Sequence, residues 1–277
     1  MTARPLTSPR LAPRDYFRVR IALPDGATTL HVASFARASV RTRVVALGDG
    51  RSLLACARER GWRDAVVGGF FVRPDGVPLG ELRIGGRAQP AVPFGPPWDG
   101  LRSCVHISGR SIRIAPRPDL EPEPSGDLLQ AGPLLVRGGA AVPGLGLDPE
   151  GFSAGAAQFD SDITVGRYPR AALALAGNRV LAAVSDGRSR ADAGLTLGEL
   201  ADALVDLGAD VAINLDGGGS ASLVYGGRLR NRPREEHGIE ILGGRPIATA
   251  VVFEPATVPV GRYLRRRWPS ALGSRTS

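Results

Sequence analysis

The chain has 277 residues, 43% of them hydrophobic, which is enough to bury a full core in one large domain or two small ones. Its formal net charge is +8, but all 35 basic residues are arginine and the chain is rich in Ala, Gly and Pro, which indicates genome composition rather than a nucleic-acid partner. The lack of lysine excludes a P-loop, a Schiff-base enzyme and any lysine general base.

Both ends of the chain are predicted to be tails around one domain. Residues 1–14 and 262–277 carry Pro, Arg and Ser without periodicity, so we expect a disordered N-terminal tail, a basic C-terminal tail and a single domain over residues 15–261. No apolar run approaches the roughly 20 residues of a membrane helix, and the start lacks the apolar segment of a signal peptide. We therefore expect a cytoplasmic protein with no membrane partner.

Between the tails, short strands with glycine turns dominate the pattern. Hairpins outnumber crossovers, which favours an α+β fold with a mixed, largely antiparallel sheet core and a few packed helices. In chain order, the predicted elements are strands at 17–22 and 28–35, a helix at 52–60, a strand at 65–67, a hairpin of 103–108 with 111–115, a proline-rich loop at 116–125, a strand at 133–136, a hairpin of 171–176 with 180–184, a helix at 197–207, a strand at 211–215, a hairpin turn at 226–227 and a strand at 247–253.

The most informative stretch follows the strand at 211–215, where Asp216 stands before Gly217, Gly218, Gly219 and Ser220. Asp216 alone could be an ordinary turn residue that accepts bonds from the next amides. A turn needs one or two glycines, however, and a third costs roughly 0.5–1 kcal/mol of chain entropy, which suggests that a ligand approaches the backbone. We therefore predict a site in which Asp216 projects beside bare amides.

Further polar candidates stand at strand ends. Asn214 shares a strand face with Asp216, although it could equally be a hydrogen bonder at the end of the sheet. Asp186 and Arg188 end the strand at 180–184 and would suit an anionic substrate, or form a surface turn. Arg170 and Arg245 each precede a buried strand, where each could clamp a phosphate or pair with a structural Asp.

The segment Gly68-Gly69-Phe70-Phe71 closes the strand at 65–67 as the triple glycine closes its own strand. Gly69 and Phe70 are candidate binding residues, with the phenylalanines either a wall for a sugar ring or plain core. Glu81, on the turn that follows, is a weaker acid candidate.

Cysteine and histidine provide no metal signal. Cys56 and Cys104 are too few for a zinc cluster, and we interpret them as buried free thiols. His31, His106 and His237 show no ligand spacing, so we expect no metal site and no histidine-based mechanism.

The segment from Ala212 to Ser222 closely resembles the signature of the phosphodiester glycosidase family. Other family motifs have counterparts in the right order, and the similarity runs from about residue 28 to residue 253. The matching residues are Gly68-Gly69-Phe70-Phe71, Gln130-Ala131-Gly132-Pro133-Leu134-Leu135, Pro169-Arg170, Ser185-Asp186-Gly187-Arg188 and Arg245. Val67 and Ala171 depart from the family pattern, which usually has Asn and Thr there, and Val67 stands at a position expected to face the site.

The resemblance implies a hydrolase that cleaves the glycosidic bond of a small-molecule or glycan sugar-1-phosphodiester. It implies Asp216 as principal carboxylate and Asp186 as the second, with Arg170 and Arg245 on the phosphate and the glycine amides on sugar or phosphate oxygens. No cofactor is required, although a divalent metal is compatible with these residues. Two alternatives remain open: an altered relative that binds a glycosyl phosphate or nucleotide sugar, and a general phosphodiesterase.

Overall fold

The computed structural model describes residues 12–48, 50–152 and 164–256. The predicted tails therefore fall almost wholly outside the described residues. Residues 12–14 are the exception, and Arg14 already belongs to the first strand, with its guanidinium 2.7 Å from the carboxylate of Asp64.

The described chain is dominated by strands. They are β1 (Arg14–Leu23), β2 (Gly26–Ala36), β3 (Val40–Ala46), β4 (Ala65–Val67), β5 (Phe71–Val72), β6 (Val77–Pro78), β7 (Leu82–Ile84), β8 (Arg87–Ala88), β9 (Ser103–Ser108), β10 (Ser111–Pro116), β11 (Asp127–Gln130), β12 (Leu134–Arg137), β13 (Ala140–Ala141), β14 (Ala171–Ala176), β15 (Arg179–Ser185), β16 (Val211–Asn214), β17 (Leu223–Tyr225), β18 (Arg228–Leu229) and β19 (Thr249–Pro255). The helices are α1 (Leu53–Arg60), the single turn α2 (Trp98–Leu101) and α3 (Leu197–Asp206).

Local signals define the ends of α3. The hydroxyl of Thr196 accepts a bond from the amide of Glu199, and the Glu199 carboxylate accepts one from the amide of Thr196, which completes a capping box. Gly208, with φ +81°, follows the last turn in the left-handed conformation that favours glycine. The predicted helix at 197–207 is therefore confirmed to within one residue.

The strands form three main sheets. The largest has seven strands in the order β1-β2-β15-β14-β16-β12-β13, and two sheets of five strands follow the orders β18-β17-β4-β19-β3 and β10-β9-β11-β7-β8. All strand ladders in the described chain are antiparallel, so the sheets are not mixed as the sequence predicted. Neighbouring strands are joined by hairpins or brought together from distant parts of the chain in opposite directions.

The central strands of the seven-stranded sheet are buried on both faces. Alternate residues of β14 point to opposite sides: Leu173 joins a core shared with both five-stranded sheets, whereas Ala172 joins a core formed with α3. The apolar face of α3, which includes Leu200 and Leu204, covers that second side. The predicted hairpins are all present, and the fold is a sheet-dominated form of the predicted α+β class.

Other features agree with the sequence or add to it. Cys56 and Cys104 are buried and stand outside any disulfide, as expected. The predicted loop at 116–125 contains a short 3₁₀ turn at Arg117–Asp119. Among the described residues, no helix is both long and apolar enough to cross a membrane.

Candidate functional site

Segments that are distant in the sequence meet at the end of β16. The amide of Asp216 donates to the carbonyl of Gly68 over 2.9 Å, which joins the triple-glycine loop to the end of β4. The amide of Gly218 donates to the carbonyl of Pro169 over 2.8 Å, at the start of β14. The backbone pairing of antiparallel strands thus brings together motifs that lie between about 50 and 150 residues apart.

Two of the three glycines of the loop have close neighbours where a side chain would stand. A Cβ on Gly217 would lie 2.9 Å from the carbonyl oxygen of Pro169, and one on Gly219 would lie 2.9 Å from both Nη1 of Arg245 and the carboxyl carbon of Glu235. Such distances exclude a side chain unless its neighbours move. Gly219 therefore leaves room for the ends of two charged side chains beside the loop, a contact that the sequence did not reveal.

Asp216 is half-buried at the start of this loop. Its Oδ1 accepts a bond of 2.9 Å from the amide of Gly217. Burial raises the pKa of Asp216 from the ordinary 3.8 to about 6, although a hydrogen bond to Ser220 and the positive charge of Arg245 act to lower it. The carboxyl is thus mostly ionised at neutral pH and only poorly solvated, which is a common state of a catalytic carboxylate.

Two arginines accompany Asp216. The guanidinium of Arg188 lies 3.6 Å from the position of a Cβ on Gly218, over the ring of Tyr168 at 5.6 Å, and donates to the carbonyl of Arg234. Arg188 itself has φ +57°, an unfavourable conformation for a residue with a side chain and one that is concentrated at functional sites. The guanidinium of Arg188 therefore reaches the triple-glycine loop from a strained backbone position.

The second guanidinium belongs to Arg245, which lies 3.0 Å from Oε1 of Glu235 and 5.9 Å from the centre of the Phe71 ring. Its side chain is 15% exposed. Together with Arg188 it brings two guanidinium groups to the loop, an arrangement that can receive an anion. The amides of Gly217 and Gly218 are bonded within the protein, which does not support their predicted role as ligands of substrate oxygens.

Both carboxylate oxygens of Asp186 are engaged in structural contacts. This residue is buried; its Oδ2 lies 2.9 Å from Nε2 of His31, and its Oδ1 accepts a bond of 2.7 Å from the amide of Arg232. The other ring nitrogen of His31 lies 2.8 Å from the hydroxyl of Tyr16. These contacts fix the loop that carries Arg188, and they do not support Asp186 as the second carboxylate of the reaction.

Arg170 is likewise directed to structural partners. Its Nε donates to the carbonyl of Leu195 over 3.0 Å and its Nη2 to that of Gly166 over 3.2 Å. The side chain belongs to the α3 side of the sheet, because β14 starts at the next residue and its alternate positions face α3. This placement does not support the predicted phosphate clamp at Arg170.

The remaining predicted residues fall into two groups. Glu81 pairs with Arg83 at 2.8 Å and with Arg117 at 2.5 Å, and Phe70 packs among buried apolar side chains, so neither placement supports a direct role. Gly69 and Asn214 make hydrogen bonds to neighbouring parts of the protein. The amide of Gly69 donates to Oγ1 of Thr249, and the buried Asn214 donates through Nδ2 to the carbonyl of Gly132.

Val67 also differs from the expectation. It is fully buried in the core between the sheets, so its side chain does not face the site. Three residues near the loop were not predicted from the sequence: Glu235, Tyr168 and Arg73. The positive charge of Arg73 lowers the pKa of Asp216. The segment around Glu235 shows no periodicity or motif, and only its contacts reveal it.

Within the described ranges, no group of three or more His, Cys, Asp and Glu side chains is placed to hold a metal ion. A family model for phosphodiester glycosidases matches residues 60–254. The chain belongs to the phosphodiester glycosidase family. The match includes Asp216, Arg188, Arg245 and Glu235. A search of curated proteins found no match.

Solved structures share the fold of this phosphodiester glycosidase family member. A hypothetical protein from Synechocystis is 17% identical, with TM-score 0.65, over 87% of this chain and 62% of its own. The zebrafish N-acetylglucosamine-1-phosphodiester alpha-N-acetylglucosaminidase catalytic domain, auto-inhibited by its pro-peptide, is 20% identical, with TM-score 0.65, over 90% of this chain and 85% of its own. A protein of Burkholderia pseudomallei K96243 described as a putative exported protein is 18% identical, with TM-score 0.61, over 83% of this chain and 74% of its own.

Proposed function

We propose that this protein hydrolyses the glycosidic bond of a sugar-1-phosphodiester. The observation that carries the proposal is the half-buried Asp216 carboxyl, with a pKa of about 6, on a loop shared with Arg188 and Arg245. Membership of the family supports the reaction class, and the zebrafish relative supports N-acetylglucosamine as the first sugar to test.

The chemistry of the substrate fits this set of groups. A phosphodiester leaves as a stable phosphate monoester, so little acid assistance is needed when the bond to the anomeric carbon breaks. The site must instead stabilise positive charge on the sugar ring and hold the negative charge of the phosphate. In this proposal the ionised Asp216 faces the ring carbon, while Arg188 and Arg245 receive the anionic oxygens. The amides of Gly217 and Gly218 take no part, because they are already bonded to Asp216 and Pro169.

Turnover of an aryl phosphodiester of N-acetylglucosamine by the purified protein tests the proposal. We expect release of the free sugar and the aryl phosphate by the parent protein and no release by Asp216→Asn. Assays after chelator treatment and with added Mg²⁺ run in parallel. Calorimetry with N-acetylglucosamine 1-phosphate identifies the alternative binder, because heat of binding without any turnover would contradict hydrolysis.

Hydrolysis in oxygen-18 water distinguishes the glycosidase from a general phosphodiesterase. Cleavage between the anomeric carbon and oxygen places the label in the sugar hydroxyl, which is the expected result. Label in the phosphate product would mean that the phosphorus–oxygen bond breaks, and the glycosidase proposal would then be wrong.

A further inference from the structure

Glu235 places a second carboxylate on the triple-glycine loop. A Cβ on Gly219 would lie 2.9 Å from both its carboxyl carbon and its Oε1, so the carboxylate rests directly against the loop. Its Oε1 also lies 3.0 Å from Nη1 of Arg245, whose charge acts on Asp216. Glu235 therefore contacts a guanidinium whose positive charge acts on Asp216.

The segment that carries Glu235 is held in place by the backbone that follows the glycines. Asn231 is buried; its Oδ1 accepts from the amide of Leu223 over 2.9 Å, and its Nδ2 donates to the carbonyl of Ala221 over 2.7 Å. The amide of Glu235 donates to the carbonyl of Ile239 over 2.9 Å. A carboxylate fixed in this way is positioned before any ligand arrives.

Two other acids of the described chain, Asp186 and Glu150, are engaged in different contacts. Asp186 is bound by His31 and Arg232, and the carboxylate of Glu150 accepts bonds from Ser103 and from the amide of Leu134. Glu235, in contrast, combines a contact with the loop and a side chain that is 38% exposed. It can therefore meet water that enters from solvent, whereas Asp216 lies in more crowded surroundings.

We propose that Glu235 is the second carboxylate of the reaction, a catalytic residue that accepts the proton of the attacking water. This inference rests on the proposed function. The water oxygen bonds to the anomeric carbon as the bond from that carbon to the phosphate oxygen breaks, and the bonding electron pair leaves with the phosphate monoester. The proton of the water passes to Glu235 and then to solvent, while Asp216 stabilises the positive charge on the ring.

The test is steady-state kinetics of Glu235→Gln, with Glu236→Gln at the exposed neighbouring position as the matched control. Loss of a general base lowers rates by about 10²–10⁴-fold. We expect kcat of Glu235→Gln to fall by at least about 100-fold with KM changed less than about threefold, and Glu236→Gln to match the parent protein. In Glu235→Ala, added formate should restore at least about tenfold in rate, since a small carboxylate can take the proton in its place.

A fall in kcat of at least about 100-fold together with formate rescue supports the inference, and any other result with an active parent protein overturns it. A kcat of Glu235→Gln within threefold of the parent value overturns it. A loss confined to KM, without formate rescue, also overturns it, because Glu235 would then only position Arg245. If the parent protein hydrolyses no glycosyl phosphodiester, the proposed function fails and the role of Glu235 fails with it, whereas an active parent with an equally active Glu235→Gln refutes the role of Glu235 alone.

Discussion

Replacing Asp216 with Asn should stabilise the fold at neutral pH while it abolishes turnover. Burial raises the pKa of Asp216 from 3.8 to about 6, so the folded protein binds this proton more tightly than the unfolded chain does. Above pH 6 the folded state must carry a poorly solvated charge, which destabilises it. Asn carries no charge and keeps an oxygen that can accept the bond from the amide of Gly217.

The magnitude follows from the two pKa values. A difference of about two pH units, at about 1.4 kcal/mol each, gives about 3 kcal/mol, and the partial exposure of Asp216 reduces this to about 1–3 kcal/mol through solvent screening. The advantage of Asp216→Asn should be absent below pH 4, grow between pH 4 and pH 6 and stay constant above pH 7. For a chain of this size each kcal/mol raises Tm by about 2–4 °C.

Urea unfolding of the parent protein and Asp216→Asn at pH 4, 5, 6 and 7.5 measures the difference in the free energy of unfolding. Asp202→Asn, on the exposed side of α3, is the control and should change it by less than about 0.5 kcal/mol at every pH. Equal or lower stability of Asp216→Asn at pH 7.5 would refute the reasoning. An advantage of the same size at pH 4 would refute it as well, because the gain would not come from the charge.

Three further predictions concern the site and its support. The kcat/KM of the parent protein should fall about tenfold per pH unit below pH 6, because Asp216 must be ionised; a flat profile down to pH 4.5 would contradict this. Arg245→Gln should lower kcat/KM by about 10–100-fold and move the acidic limb of the profile to higher pH, because the positive charge that lowers the pKa of Asp216 is lost; an unmoved limb would contradict this. Gly68→Ala should lower the free energy of unfolding by about 1–3 kcal/mol, because the added Cβ would lie 2.4 Å from Oγ1 of Thr249. Gly146→Ala is the control, because the space around Gly146 is open. Equal effects of the two substitutions in urea unfolding would contradict the clash.

The placement of Asp186 and Glu235 shows why the sequence could not predict which acidic side chain contacts the triple-glycine loop. The contact between Asp186 and His31 spans 155 residues and depends on the pairing of β15 with β2, which no local pattern encodes. The carboxylate of Glu235 packs against Gly219, which has no side chain, and the bonds of Asn231 to Ala221 and Leu223 hold the preceding segment. Side-chain direction at a strand end is decided by the packing of neighbouring sheets, so spacing alone identified candidates but not their partners.

By itself the sequence determined the hairpins, the ends of α1 and α3 and the loop that carries Asp216, because turn glycines, capping residues and strand alternation act over a few neighbouring residues. Its motifs also indicated the family to which the chain belongs. Only the tertiary structure decided that the described ladders are antiparallel throughout, that Arg170 turns towards α3 and that Arg188, Arg245 and Glu235 gather on the triple-glycine loop. Those outcomes depend on contacts between residues far apart in the chain, and the free energy of such contacts is set only when three sheets pack around one core.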